Sequence, residues 1–329
     1  MNNRSISKDI LDWYDNNKRI LPWRKKLTKK QNHYFTLVSE IMLQQTQVKT
    51  VIPFFENFVK KIPDLASLAK VNDRKLMKCW EGLGYYSRAK NLKKTAKKIL
   101  ENFNGKLPNT IEGLKSLPGI GDYTSAAIMA IVFNKQLIPL DGNVERILKR
   151  VYYLKDIKEI SKENLNKKKN FFGKSKRASD YAQAIMEIGA LICKPSSPLC
   201  YDCPIKKRCL AYKKKDFDIK SKNKFNKTKY FEAKIYKNRN KYLFVKNNKF
   251  NFLKNLLIFP MNEIKQKKFK TSLNRRINIK MSNMNMNILI NEINKKSQTK
   301  NSFLLDKNDV KRFVLPSFSK KIFKLIEKH

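Results

Sequence analysis

Apolar side chains return every three to four positions between about residues 5 and 212, the period of helices that bury one face. LVSEIMLQQTQVKTVIPFFENFVKKI carries this period, with Pro53 predicted to open a second helix. DRKLMKCWEGLGYYSRAKNLKKTAKKILENF predicts a helix, a glycine-containing turn and another helix. IEGLKSLPGIGDYTSAAIMAIVF predicts a short helix, a tight glycine turn and an apolar helix. No strand is expected in this part. Near residue 213 the texture changes: AYKKKDFDIKSKNKFNKTK is charged, glycine-free and poor in apolar residues, the composition of a linker. Short strand-like runs follow, YFEAKIY, KYLFVK, FNFLKNLLIFP, INIKMS and SFLLD, and FSKKIFKLIEKH closes the chain as a helix. The expected organisation is a mainly α domain over 1–212, a linker over 213–228 and a small α+β domain over 229–329.

The 329 residues suffice for two domains with buried cores, and 41% hydrophobic residues exclude a wholly disordered chain. The longest apolar stretches, such as Ala126 to Phe133, fall far below the ~20 residues that span a bilayer. MNNRSISKDILDWYDNN has no apolar run of a signal peptide. No membrane partner is expected. The net charge is +46, from 73 basic and 27 acidic residues, which fits a polyanionic partner such as nucleic acid. Part of that excess is compositional, because lysine dominates and Asn and Ile abound, as AT-rich coding would produce.

Of five cysteines, Cys79 stands alone and Cys193, Cys200, Cys203 and Cys209 are spaced C-x6-C-x2-C-x5-C. Four thiolates hold a tetrahedral zinc ion or cap a four-iron cubane. Zinc ribbons pair two C-x2-C knuckles, and only one is present, so the spacing favours iron–sulfur. LPGIGDYTSAAI places Gly119 and Gly121 in a turn between helices, where backbone N–H groups can approach an anion. A glycine turn alone also serves any helix hairpin.

The motifs SEIMLQQTQV, GLGYYSRAKNL, LPGIGDYTSAA, LDGNVERIL and the four-cysteine pattern occur in this order. Together they resemble the helix-hairpin-helix DNA glycosylases related to endonuclease III, specifically the adenine DNA glycosylases that act on A paired with 8-oxoguanine or G. The resemblance covers about residues 10–210. It implies two helical lobes, about 22–135 and 1–21 with 136–212, holding double-stranded DNA, and a [4Fe–4S] cluster on the four cysteines. It further implies base excision repair by a monomer in the cytoplasm, associated with a bacterial nucleoid.

By itself, Glu40 in LVSEIML reads as a helix face, and Asp141 in LDGNV as an N-cap. Under the resemblance Glu40 becomes the acid that protonates adenine, its pKa raised by burial, and Asp141 stabilises or captures the sugar cation. Asn143 then orients Asp141 or the attacking water. Tyr123 stands where lyase-active relatives carry the Schiff-base lysine, which implies a monofunctional enzyme. Leu43 and Gln45 match residues that wedge into the base stack, and Tyr85 an aromatic inserted beside 8-oxoguanine. Trp23, Arg24 and Glu187 match the adenine pocket. The segment between LPWR and SEIML is several residues longer than the family's, and His33 replaces a proline.

The last hundred residues would form a degraded Nudix-like domain that recognises 8-oxoguanine. Phe318, Ser319 and Lys320 stand where the family has Phe-Ser-His. Lysine can meet a phosphate but lacks the acceptor of imidazole. A lyase-active pyrimidine-damage glycosylase and an inactive iron–sulfur DNA-binding module are the rival readings. Tyr123 with Glu40 opposes the first, and Glu40 with Asp141 the second.

Overall fold

The computed structural model describes residues 5–25, 28–156, 158–218, 227–281, 284–294 and 302–327. The chain packs as two compact units, Met1–Val71 with Lys90–Ser221, and Asn72–Ala89 with Lys222–His329. Much of the expected linker, residues 219–226, lies outside the described residues, as do Lys26 and Leu27 of the long segment after LPWR.

The helices before the sheet are α1 Ile6–Asn17, α2 Lys29–Leu43, α3 Val48–Lys61, α4 Leu65–Lys70, α5 Asp73–Cys79 and α6 Ser87–Asn102. They continue with α7 Ile111–Lys115, α8 Asp122–Phe133, α9 Gly142–Val151, α10 Lys162–Lys168, α11 Ala178–Glu187 and α12 Leu210–Lys213. Most starts follow local chemistry, with Ser5, Asp64, Thr110, Asp141 and Ser161 each accepting a first-turn amide. The long segment after LPWR feeds such a start. Thr28 and Gln31 form a reciprocal capping box, so α2 begins at Lys29 and His33 lies within it, edge-on to Phe133 at 5.5 Å. Pro53 does not open a helix as its position predicts; it lies inside α3, which starts at Val48. Its missing N–H leaves only the carbonyl of Lys49, an exposed first-turn residue that solvent can satisfy.

Two apolar cores run through the first unit. Leu37, Val38 and Ile41 of α2 are buried where that helix packs on α8, beside Ala127, Ile128 and Ala130. The other core joins Ile10, Leu11 and Tyr14 of α1 to Val144, Ile147 and Leu148 of α9 and to Tyr181 and Ile185 of α11. The chain's first helix therefore completes a core built from residues over a hundred positions away.

The second unit holds all seven strands found among the described residues: β1 Lys227–Asn238, β2 Lys241–Lys246, β3 Leu257–Ile258, β4 Met261–Ile264, β5 Arg276–Met281, β6 Met284–Ile293 and β7 Ser302–Leu305. The order is β3-β2-β1-β6-β5, with β4 also on β1 and β7 on β2. β1 and β6 run parallel over ten paired positions, and the other pairings are antiparallel. Three helices accompany the sheet, α13 Gln266–Thr271, α14 Lys307–Arg312 and α15 Ser317–Ile326. Phe318, Ile322 and Phe323 of α15 share the sheet's core with Phe231, Phe244 and Ile288.

Candidate active site

Glu40 lies on the last turn of α2 and is only 5% exposed. Its Oε2 accepts a hydrogen bond from the Tyr123 hydroxyl at 3.2 Å. Burial pushes the Glu40 carboxyl up to about 7, and Tyr123 and Arg24 only partly counter it, while the charge of Asp141 adds to the rise. Near neutral pH this carboxyl therefore holds a proton in a substantial fraction of molecules. The Tyr123 hydroxyl also lies 3.5 Å from the Met186 sulfur, and burial raises its own pKa well above the ordinary value.

Asp141 is the N-cap of α9, as its position alone suggests, and it also faces the same cleft as Glu40. Oδ1 accepts from the amides of Asn143 and Val144 at 3.0 and 2.7 Å, and Oδ2 from the Asn143 side chain at 2.9 Å. Burial raises its pKa against the pull of these donors. Behind it, Asn143 Oδ1 accepts from Arg146, whose guanidinium also reaches the carbonyls of Gly189 and Cys193 at 2.7 and 2.6 Å. A Cβ on Gly189 would sit 2.6 Å from that of Asn143, so only glycine permits this approach.

Glu187, fully buried, closes another side. Arg19 donates two hydrogen bonds to it at 2.7 and 3.0 Å, and Arg24 a third at 2.7 Å. Such bidentate, charge-assisted pairs fix a carboxylate in orientation. Trp23 packs edge-on to Phe55 at 5.1 Å. Trp23, Arg24, Glu40, Leu43, Gln45, Tyr123, Asp141, Asn143 and Glu187 all line one cleft of about 1070 Å³. Arg19, Met186 and the 91%-exposed Ile20 line it too, and the motifs did not single them out. Only the basic pair preceding LPWR and the neighbour of Glu187 hinted at them.

The family model of HhH-GPD superfamily base excision DNA repair proteins matches residues 38–171. The adenine DNA glycosylase of Buchnera aphidicola subsp. Schizaphis graminum is 37% identical over 282 residues, spanning 83% of this chain and 80% of that protein. This chain belongs to the adenine DNA glycosylases. The corresponding protein of Buchnera aphidicola subsp. Baizongia pistaciae is 40% identical over 259 residues, 76% of this chain and 72% of the relative. Among solved structures, a thermostable thymine-DNA glycosylase superposes with a TM-score of 0.55 at 26% identity, covering 63% of this chain and 95% of that one. The protein is thus an enzyme of base excision repair that removes adenine from DNA, and its first unit has the helix-hairpin-helix glycosylase fold.

In this glycosylase the hairpin between α7 and α8 lies outside the cleft lining. Gly119 has φ +81°, which demands glycine, whereas Gly121 has an ordinary φ and faces open space. Gln44 ties the hairpin to the end of α2 by donating to the Gly119 carbonyl and the Thr124 hydroxyl, both at 3.1 Å. The next residue, Gln45, is held at φ +57°. A left-handed non-glycine conformation costs on the order of 1 kcal/mol and is concentrated at functional positions. Tyr85, also left-handed at φ +47°, belongs to the second unit, as do Phe318 and Ser319. Phe318 and Ser319 are buried at 1% and 0% exposure, and the Ser319 hydroxyl finds no hydrogen-bond partner among the described residues. Lys320, which its sequence position offers to a phosphate, has its Nζ 2.8 Å from Glu81 Oε1.

The four clustered cysteines form no disulfide with one another and line one small cavity with Ile147, Ile188, Ile192 and Ile205. Among the described residues no three metal-ligating side chains close on a single ion. Arg150 of α9 braces the loop, with its NH1 3.3 Å from Cys193 Sγ and 2.6 Å from the Lys194 carbonyl. Burial raises the thiols of Cys200, Cys203 and Cys209, that of Cys203 to about 12, and the sulfurs reinforce one another.

Proposed function

We propose that this glycosylase releases adenine mispaired with 8-oxoguanine or guanine and leaves the DNA backbone intact. The observation that carries the reading is the buried Glu40 carboxyl, with its pKa lifted to about 7, facing the same cleft as Asp141. A protonated Glu40 supplies the proton that adenine N7 needs as the C1′–N9 bond breaks and its electron pair moves to the base. Asp141, anionic and fixed by three donors, stabilises the positive sugar left behind, and water then adds at C1′. Asn143 holds Asp141 in place. Trp23 and the Arg19–Glu187–Arg24 triad offer an apolar face and directed polar groups for a flipped base, while Leu43 and Gln45 fill the gap it leaves. Gly119 and Gly121 offer backbone amides to a phosphate. Tyr123 has no amine, so strand breaks should appear only after alkali. The deciding assay incubates the enzyme with duplexes bearing A opposite 8-oxoguanine, A opposite G, or thymine glycol, with and without alkali. Release from thymine glycol with concurrent strand scission would overturn the reading.

The mechanism fixes a pH dependence. Glu40 acts in its protonated form, so single-turnover base release should fall as pH rises through about 7. In Tyr123→Phe the hydrogen bond that favours the carboxylate is lost. Its pKa then rises further, and the falling limb should move to higher pH. A limb that does not move would show that this contact has no hold on the acid.

Cys193, Cys200, Cys203 and Cys209 fit a [4Fe–4S] cluster. They share one isoleucine-walled cavity, and four thiolates are the ligand set that caps a four-iron cubane. Bound there, the cluster supplies cross-linking of a loop with little core of its own. Because burial favours protonated thiols, loading must displace those protons. Purified protein should be brown with about four irons per chain, and Cys203→Ser should lose both colour and iron. Stoichiometric zinc without iron would replace this assignment.

A further inference from the structure

Within the second unit, residues 72–89 are joined to the C-terminal part by a compact set of polar contacts. Arg74 donates to the Arg312 carbonyl at 3.3 Å and stacks over Phe313 at 5.6 Å, and Lys78 donates to the Lys311 carbonyl at 2.9 Å. Glu81 is the centre of the set. Its carboxylate, 8% exposed, receives Lys78 at 2.6 Å, Lys320 at 2.8 Å and the Leu315 amide at 3.2 Å. Burial works against its charge, and these hydrogen bonds outweigh burial and hold the carboxyl below its usual range.

Glu81 also begins the loop that presents Tyr85. That loop is internally braced: Trp80 Nε1 and Arg88 both donate to the Gly84 carbonyl, and the Arg88 guanidinium lies 5.2 Å from the Tyr85 ring. A displacement at Glu81 therefore passes to Tyr85 through a short, connected frame. Phe318 and Ser319 are buried, whereas the Lys320 side chain reaches Glu81 at the start of this loop.

We propose that Lys320 is a positioning residue: through Glu81 it holds the loop that presents Tyr85, and it serves opposite-base preference as a strut and not as a reader of the base. The second half rests on the proposed 8-oxoguanine reading. Full-length enzyme should be compared as wild type, Lys320→Met, Lys320→Arg, Glu81→Gln and the Glu81→Gln/Lys320→Met pair. Amide exchange over residues 80–86, followed by mass spectrometry without DNA, should quicken about tenfold in Lys320→Met and return to normal in Lys320→Arg. The ratio of affinities for A:8-oxoguanine and A:G duplexes should fall about fivefold in Lys320→Met and in Glu81→Gln, stay at the wild-type value in Lys320→Arg, and fall no further in the pair, as expected of one shared contact. Unchanged exchange in Lys320→Met overturns the strut. Faster exchange with the preference intact overturns its link to the opposite base. Faster exchange in an enzyme whose wild type shows no preference upholds the strut and overturns the 8-oxoguanine reading instead.

Discussion

Glu40→Gln should lower adenine release by on the order of 10³-fold while duplex affinity stays within about twofold. Glutamine keeps the shape and still accepts from the Tyr123 hydroxyl, but it has no acidic proton to give. The same change should raise stability. Glu40 is an ordinary carboxylic acid near 4.5 in the unfolded chain and titrates near 7 in the folded one. Ionisation is therefore penalised by folding. The penalty is absent below pH 4.5, grows through the interval and levels off above 7 at about 3 kcal/mol, from 1.36 kcal/mol per unit. Thermal melts should show Glu40→Gln matching wild type near pH 4 and exceeding it at pH 8. A variant that is slow but no more stable at pH 8 would mean that Glu40 is not a strained, buried acid. One that keeps substantial turnover would remove Glu40 from the chemistry.

Asp141 presents a different problem, because the same carboxylate caps α9 and faces the cleft. Asparagine caps helices about as well as aspartate, so Asp141→Asn separates the two roles. Oδ1 can still accept the amides of Asn143 and Val144, while the bond from the Asn143 side chain is lost, at about 1 kcal/mol. The negative charge is gone, and base release should fall by about 10²- to 10³-fold. Asp141→Ala should show the same rate loss and a further ~1 kcal/mol of destabilisation from the missing cap. Single-turnover rates and chemical denaturation of both variants decide the matter. If asparagine retains the rate within about tenfold, the side chain works by positioning and its charge is dispensable.

The helices and the cleft were largely legible because their determinants are local or carried by ordered motifs. Nine of the positions singled out in the sequence line one cleft, although they come from α2, α8, α9, α11 and the segments around them. What escaped was set by tertiary context. Pro53 looks like a helix opener, but the amphipathic period on both sides of it carries α3 through. β6, paired along its length with β1 and β5, was not legible in MNMNILINEI, where Asn and Met alternate and only its middle is plainly apolar. Its strand state comes from the neighbours on either side. Lys320 carries its charge visibly in the sequence, but its partner lies 239 positions earlier at Glu81, and no spacing rule joins the two.

The double duty of Asp141 bears on how this enzyme would decay in a lineage that had stopped needing it. Selection for a folded α9 alone is enough to keep an acceptor at position 141, so an inert descendant could display Asp141 unchanged. Glu40 has no such protection: as a buried acid it lowers stability at neutral pH, and most uncharged replacements would be welcomed by the fold. In degraded copies of this sequence, position 40 is therefore the one whose state reports whether adenine is still being removed.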